Sequence, residues 1–432
     1  MQKLSLLDII LLGMTNFALY VGAGNIIFPP ILGLQSGDKV TLTTIGFLLT
    51  GVGLPVIAAI ALARVKGDLN EITRPIGLKA GLAASVICYL CIGPLYAIPR
   101  TATVSFELTA APFLPFDNLL PWYSALYFII ALLFALYPNK ILDTVGKILS
   151  PLKIAALLVL VLAGVFLIPG EGSSAQGPFV DGAFAQGIIN GYLTLDTLAS
   201  LAFGIVIVEA IRSRGVSEGK ATVRYATISG CLAGIGFITI YLGLFHIGYS
   251  SYSLIPEASN GAQVLGAYVH YAFGAAGSIF LALLIGIACL VTAIGLICAC
   301  ASYFSHITKL GYRTYVFIFA LFSGLIANLG LTELIKISVP ILIAIYPMFI
   351  VLVFGSFIIP FLRKPSQVIA PTALLALIFG LNDALESLAL SPLPAALKQA
   401  LPLYQDSLSW LLPCVMLFVI LSLYDHLRKA QA

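Results

Sequence analysis

What most constrains this chain is a series of twelve apolar runs, at about 5–34, 41–63, 80–111, 120–137, 141–168, 183–211, 223–248, 273–303, 314–330, 334–361, 369–390 and 407–427, most of them 20 residues or longer. Unpaired backbone N–H and C=O groups are not tolerated in hydrocarbon, so a run of that length is expected to cross a bilayer as a helix. A transmembrane barrel would show alternation over segments of about 10 residues instead. Composition excludes the remaining class: 60% of the 432 residues are hydrophobic and only 9% are charged, far below the charged fraction of a water-soluble globule. The sequence therefore predicts an all-α integral membrane protein with 12 transmembrane helices.

Charge orders the runs. Basic residues gather in cytoplasmic loops, and numbering from an inside N-terminus puts 18 of the 22 Lys and Arg in inner segments. These are Lys3, then Arg64, Lys66, Arg74 and Lys79, then Lys140, Lys147 and Lys153, then Arg212, Arg214, Lys220 and Arg224. Lys309 and Arg313, Arg363 and Lys364, and Arg428 and Lys429 follow. Lys39, Lys336 and Lys398 fall outside, and Arg100 falls within a run. Both termini are thus expected to be cytoplasmic, and the net charge of +4 is accounted for by inner loops, with no basic platform for nucleic acid. Lys3, the first apolar run and the small residues Gly22-Ala23-Gly24 resemble a signal peptide with its cleavage site. The apolar residues from Phe28 onward predict that the segment is retained.

Inside the first run stands Gly22-Ala23-Gly24-Asn25-Ile26-Ile27-Phe28-Pro29-Pro30. Gly loosens a helix, and neither Pro29 nor Pro30 has an N–H for the carbonyls of Asn25 and Ile26. Polar backbone left free at membrane depth belongs in a cavity or under protein, so the stretch reads as half of a binding site. The sixth run repeats the pattern with Gly191-Tyr192-Leu193-Thr194-Leu195-Asp196-Thr197-Leu198-Ala199-Ser200, hydroxyls and a carboxylate near its midpoint. Two unusual helices five apart imply a second group of five that enters the membrane inverted. The expected plan is a 5+5 inverted repeat with broken helices 1 and 6: a first repeat at 5–168, a second at 183–361, and two additional helices at 366–428. The gap after the second run (64–79) is basic, and its mate after the seventh (249–272) has no Lys or Arg.

Several residues carry chemistry in this plan. Asn25 is either a cation or substrate ligand or the N-cap of the second half-helix, and the two roles are compatible. N–H groups at that half-helix start suit a carboxylate. Asp196 is either a binding or proton-relaying carboxylate or a counter-ion for Arg100; Thr194, Thr197 and Ser200 supply the oxygen ligands that hard cations prefer. Arg100 could meet a substrate carboxylate, but Arg100 and Glu107, seven residues apart on one helix face, read rather as a structural ion network, with a salt bridge from Arg100 to Asp196 or Glu107. All seven cysteines lie in apolar runs, and Cys88-x-x-Cys91 reads as small-residue packing. No H-E-x-x-H and no phosphate-binding glycine loop occurs, so neither zinc proteolysis nor ATP-driven transport is expected, and no enzyme is.

Gly22 to Pro30, Ala97-Ile98-Pro99-Arg100-Thr101-Ala102-Thr103-Val104-Ser105-Phe106-Glu107 and Tyr192-Leu193-Thr194-Leu195-Asp196 together resemble the branched-chain amino-acid carriers of the BrnQ type, from the first run to the twelfth. The resemblance implies uptake of leucine, isoleucine and valine across a bacterial cytoplasmic membrane, driven by sodium or protons. No cofactor is implied beyond that coupling ion, and the implied partners are the amino acid, the cation and the bilayer. More distantly, G-x-G-N-x-x-x-P and Ser200-Leu201-Ala202-Phe203-Gly204 are similar to the LeuT-type sodium symporters, so the implied fold is LeuT-like. Read on the residues themselves, the substrate would meet Gly22, Ala23, Gly24, Asn25, Asp196, Thr197, Ser200 and Phe203; what the LeuT resemblance carries over is the ion ligands. One sodium would take the Tyr20 carbonyl and the Asn25 side chain; a second would take the carbonyls of Ala18, Val21 and Cys289 and the hydroxyl of Thr292. Two departures stand out: Ala293 replaces the second hydroxyl expected after Thr292, and Leu198 stands where a threonine ligand is expected, while Asp196 has no counterpart in that pattern. A gradient-independent facilitator or channel is the competing reading.

Overall fold

In the computed structural model the described residues are 4–114, 118–137, 141–216, 219–390, 394, 398 and 401–430; of these, the side chains of 18, 19, 141–150, 205, 209 and 428–430 are outside the description. Helices make up all the regular structure among the described residues. The twelve apolar runs lie largely on helix, with non-helical residues at 21–22, 193–195 and 407–410. Seven helices among the described residues are long and apolar enough to cross a membrane, and an eighth crossing results if the bent pair over 179–212 counts as one; four more apolar helices are 10–17 residues long.

The chain begins with α1 (Leu6–Tyr20), capped by the Ser5 hydroxyl, which accepts from the Asp8 N–H while the Asp8 carboxylate accepts from the Ser5 N–H. After Val21 and Gly22, α2 (Ala23–Ser36) follows, and then α3 (Val40–Leu48) and α4 (Leu54–Arg64), joined by a π-helical turn at Leu49–Gly53. A short α5 (Leu69–Thr73) leads to α6 (Leu78–Leu90) and α7 (Ala97–Thr109), separated by a second π-helical turn at Cys91–Leu95 in which Gly93 departs from helical geometry. The first group closes with α8 (Leu119–Leu136) and α9 (Ile141–Phe166).

Then come α10 (Phe179–Tyr192), α11 (Asp196–Arg212), α12 (Gly219–Ser250) and the 47-residue α13 (Gly261–Ile307). The segment 249–272, read from sequence as a loop, is helical from Gly261 onward; α13 bends at Gly274, whose φ of +64° a side-chain-bearing residue rarely adopts. α14 (Tyr312–Ala327), α15 (Leu331–Ile358), α16 (Pro365–Ser387) and α17 (Leu411–Ala430) complete the chain.

Packing places the two interruptions at the centre. α2 lies against α12 and α13, α10 against α3, and α11 against α4, while α13 runs along α7. α16 and α17 attach in series, α16 to α15 and α17 to α16. The α3–α10 contact is close enough that a Cβ on Gly46 would sit 2.1 Å from the Phe184 carbonyl oxygen, and one on Gly187 2.1 Å from that of Thr43. The outer flanks carry large exposed apolar side chains, among them Trp122, Leu126, Leu283 and Leu325. In water such surface would be costly; against acyl chains it is the expected exterior.

Candidate functional site

The first interruption is narrower than its sequence suggests. α1 ends at Tyr20, Val21 and Gly22 are extended, and α2 resumes at Ala23. Pro29 and Pro30 lie inside α2, one to two turns beyond the break. They leave the Asn25 and Ile26 carbonyls without their i+4 donors, as expected, without ending the helix. Gly22, not Asn25, is the N-cap. Asn25 sits three residues in, and its Oδ1 accepts from the Gly22 N–H at 2.9 Å, so the side chain closes the break from the helix side. Gly22 itself has φ −107° and ψ −171°, which any residue adopts.

The second interruption spans Leu193–Leu195, between α10 and α11. Leu195 has φ +66°, a left-handed conformation that is strained for a leucine, at a cost of order 1–3 kcal/mol. Its side chain is buried, which holds it there. The turn makes Asp196 the first residue of α11, and the Thr194 hydroxyl accepts from the Asp196 N–H at 3.4 Å.

A hydrogen-bonded triad joins the two interruptions. Asn25 Nδ2 donates to Asp196 Oδ2 at 2.6 Å and lies 2.6 Å from the Tyr241 hydroxyl of α12; that hydroxyl is in turn 3.3 Å from Asp196 Oδ2. A carboxylate accepts only and the Gly22 N–H donates only, which fixes the orientation of the Asn25 amide. All three side chains are buried, and Asp196 makes no ion pair among the described residues. The nearby Arg100 guanidinium acts on it through space without contact, and a buried carboxylate without a direct ion pair is costly to keep.

Arg100 behaves differently from its sequence reading. The expected salt bridge to Asp196 or Glu107 is absent among the described residues. Instead its guanidinium donates to the carbonyls of Leu193 and Thr194 at the end of α10 and lies over the Phe28 ring, 5.4 Å from its centroid. Glu107 is half-buried farther along α7. Gly24 makes room for the arginine: a Cβ there would sit 2.7 Å from Nη2.

Lys153 was not singled out by sequence reasoning, which counted it with an inner loop. It lies within α9, only 6% exposed, and its Nζ donates to the Val21 carbonyl at 2.6 Å. Its position twelve residues into a run of apolar sequence was the available signal. It also lines a cavity of about 480 Å³ between α9 and α13 whose other walls are apolar.

The remaining candidates distribute around this centre. Thr197 and Ser200 are buried on the first turn and a half of α11, Thr197 facing the Tyr346 hydroxyl and Ser200 that of Tyr20, without close hydrogen-bond geometry. Phe203 is half-buried on the same helix. Ala23 is buried in the first turn of α2. On α13, Cys289 is buried, while the Thr292 hydroxyl donates to the Ala288 carbonyl of its own helix at 2.9 Å. Ala18 lies in α1, with its side chain outside the described residues. Among the described residues no group of three His, Cys, Asp or Glu could hold a metal ion.

Comparison with known proteins identifies the family. Residues 5–428 match the profile of the family described as branched-chain amino acid transport protein. The chain is 50% identical to the branched-chain amino acid permease BrnQ of Escherichia coli K12, over 98% of this chain and 97% of that protein. It is 51% identical to the branched-chain amino acid transport system 3 carrier protein of Pseudomonas aeruginosa (98% of each chain), and 39% identical to the permease BraB of Bacillus subtilis (97% and 96%). Two solved transporters share the fold at low identity. Mhp1, a nucleobase-cation-symport-1 family transporter in a closed conformation with bromovinylhydantoin bound, aligns with a TM-score of 0.59 at 15% identity over 96% of this chain and 92% of its own. MhsT in complex with L-phenylalanine aligns with a TM-score of 0.51 at 17% identity over 98% and 99%. The relatives are carriers and permeases, not enzymes, and the molecule is a multi-pass membrane transporter: the chain belongs to the branched-chain amino acid transport protein family.

Proposed function

We propose that this protein is a secondary active transporter that carries leucine, isoleucine and valine into the cell by cation symport, with sodium or protons as the coupling ion. The observation that carries the reading is the buried triad of Asn25, Asp196 and Tyr241, which ties one helix interruption to the other through a carboxylate with no ion-pair partner among the described residues. Free backbone groups at interrupted helices, paired across a repeat, are where secondary transporters hold substrate and ion. The plan is twelve spans in a 5+5 inverted repeat, 5–168 and 183–361, with the first and sixth spans broken and two helices appended at 366–428. Both termini face the cytoplasm of a bacterial cell.

In this arrangement the substrate lies between Gly22–Asn25 and Asp196–Ser200. Its carboxylate faces the N–H groups that open α2, its ammonium faces freed carbonyls and Asp196, and its branched side chain packs against Phe203. Sodium candidates are the Tyr20 carbonyl with Asn25, and a second set of Ala18, Val21, Cys289 and Thr292, in which the Lys153 ammonium already holds the Val21 carbonyl and would have to give it up. The homology of family and relatives supports the substrate class.

Purified protein in proteoliposomes tests the reading. Labelled isoleucine is expected to accumulate under an imposed inward sodium or proton gradient, with leucine and valine competing and lysine and glutamate not. Uptake indifferent to both gradients sinks the coupling; competition by unrelated amino acids sinks the substrate class.

A further inference from the structure

We propose that Arg100 positions the substrate by exchanging partners: its guanidinium gives up the Leu193 and Thr194 carbonyls to the substrate ammonium and takes the substrate carboxylate in return. The inference rests on the reading that the cargo is an α-amino acid.

Four observations converge on it. First, Arg100 is 8% exposed and makes no ion pair among the described residues. Asp196, the nearest carboxylate in the site, is engaged by Asn25 and Tyr241 instead. A buried guanidinium whose direct partners are neutral carbonyls, with the Asp196 charge near but out of contact, gains from an anion within hydrogen-bond reach. Second, Arg100 Nε is buried with no hydrogen-bond partner, a donor in reserve.

Third, the guanidinium lies against the first turn of α2, because Gly24 has no side chain to exclude it. The opening N–H groups of that 14-residue helix lack intrahelical acceptors, and only that of Gly22, just outside it, is taken up by Asn25. A carboxylate placed there meets helix start and guanidinium together. Fourth, the carbonyls that Arg100 now holds end α10, where the helix presents partial negative charge. One break therefore offers a positive end and the other a negative end, separated by an arginine that bridges them. A zwitterion fits that pair of ends, and exchanging it for the arginine's own contacts leaves the net charge of the site unchanged.

The exchange makes the site demand both charged groups of the ligand. Binding of isoleucine, of 2-methylbutylamine, which lacks the carboxylate, and of 3-methyl-2-oxopentanoate, which lacks the ammonium, is measured on detergent-purified full-length protein. Wild type is expected to bind isoleucine about 100-fold or more tighter than either half-molecule, in the range for a buried charged pair. Arg100→Gln is expected to weaken isoleucine by a similar factor and to leave 2-methylbutylamine within about threefold, so that the preference collapses. Arg100→Lys, with a charge but no fork, is expected to fall between.

A structural role predicts something else: both ligands weaken together and the preference survives, which overturns the proposal, as does unchanged isoleucine affinity. Should Arg100→Gln fail to reach the membrane, Gly24→Ala displaces the same guanidinium with a methyl group 2.7 Å from Nη2, and an unchanged preference there overturns it equally. If wild type binds a different α-amino acid, the same ratio against its decarboxylated amine decides; the assigned substrate class then falls while the role of Arg100 stands. A wild type that prefers the amine overturns the role of Arg100 whatever the side chain.

Discussion

At the scale of single residues, Asn25 is the hinge of the account, because its amide serves three partners on three different elements: Gly22, Asp196 and Tyr241. Asn25→Asp keeps the shape but replaces a donor with a carboxylate where the Asp196 oxygen is 2.6 Å away. Two like charges at that distance cannot both persist in a buried site. Isoleucine uptake by Asn25→Asp is therefore expected to fall by about 100-fold or more, whereas Tyr241→Phe, which removes the 2.6 Å contact to Asn25 and the 3.3 Å contact to Asp196 but adds no charge, is expected to cost about tenfold. Equal losses in the two variants would contradict the triad. Lys153 invites a separate test. Replacing it with Met deletes the donor to the Val21 carbonyl, and an unsatisfied buried acceptor costs about 1–3 kcal/mol, so a lower Tm and slower uptake are expected, with Lys153→Arg recovering part of both. A Met variant as stable and active as wild type would show that this contact matters little.

At the scale of elements, much was legible in the sequence, for physical reasons that can be named. Twelve apolar runs predicted where helix lies because the bilayer leaves the backbone no alternative. Gly22–Asn25 and Thr194–Asp196 announced interruptions because small and polar residues at mid-run have no other use there. The details that escaped were those set by partners distant in sequence. Asn25 read as a cap because its type favours caps, yet the cap is Gly22, three residues earlier, and the amide reaches across to α11 and α12. Pro29 and Pro30 read as the break itself, but a helix tolerates them once neighbouring helices cover the freed carbonyls. Arg100 was visible as a costly residue, while its acceptors at Leu193 and Thr194 lie 93 and 94 residues away and carry no mark in the sequence. Nor did anything mark Leu195 as left-handed. The contact between α3 and α10 gives a prediction at this scale: Gly187→Leu forces the two helices apart, since even a Cβ there would lie 2.1 Å from the Thr43 carbonyl oxygen. A clear fall in Tm with loss of uptake is expected, and a variant of unchanged stability would contradict the close packing.

At the scale of the whole molecule, the claims concern orientation and coupling. The proposed twelve-span plan puts both ends of the chain in the cytoplasm, so a green fluorescent protein fused after Ala432 is expected to fluoresce, and one fused in the outer segment after Gly170 is not; the reverse pattern would invert the topology. Coupling is the property that separates a symporter from a facilitator on the same fold, and Asp196, buried beside both interruptions and hydrogen-bonded to the Asn25 of the first sodium candidate, is the carboxylate it is expected to need. The direct measurement is the steady-state accumulation ratio of labelled isoleucine in proteoliposomes under sodium and proton gradients, for wild type and for Asp196→Asn. Wild type is expected to concentrate isoleucine well above the outside level under at least one gradient, and Asp196→Asn to lose that concentration. Accumulation by Asp196→Asn equal to wild type, or uptake by wild type that never rises above equilibrium, would contradict the account.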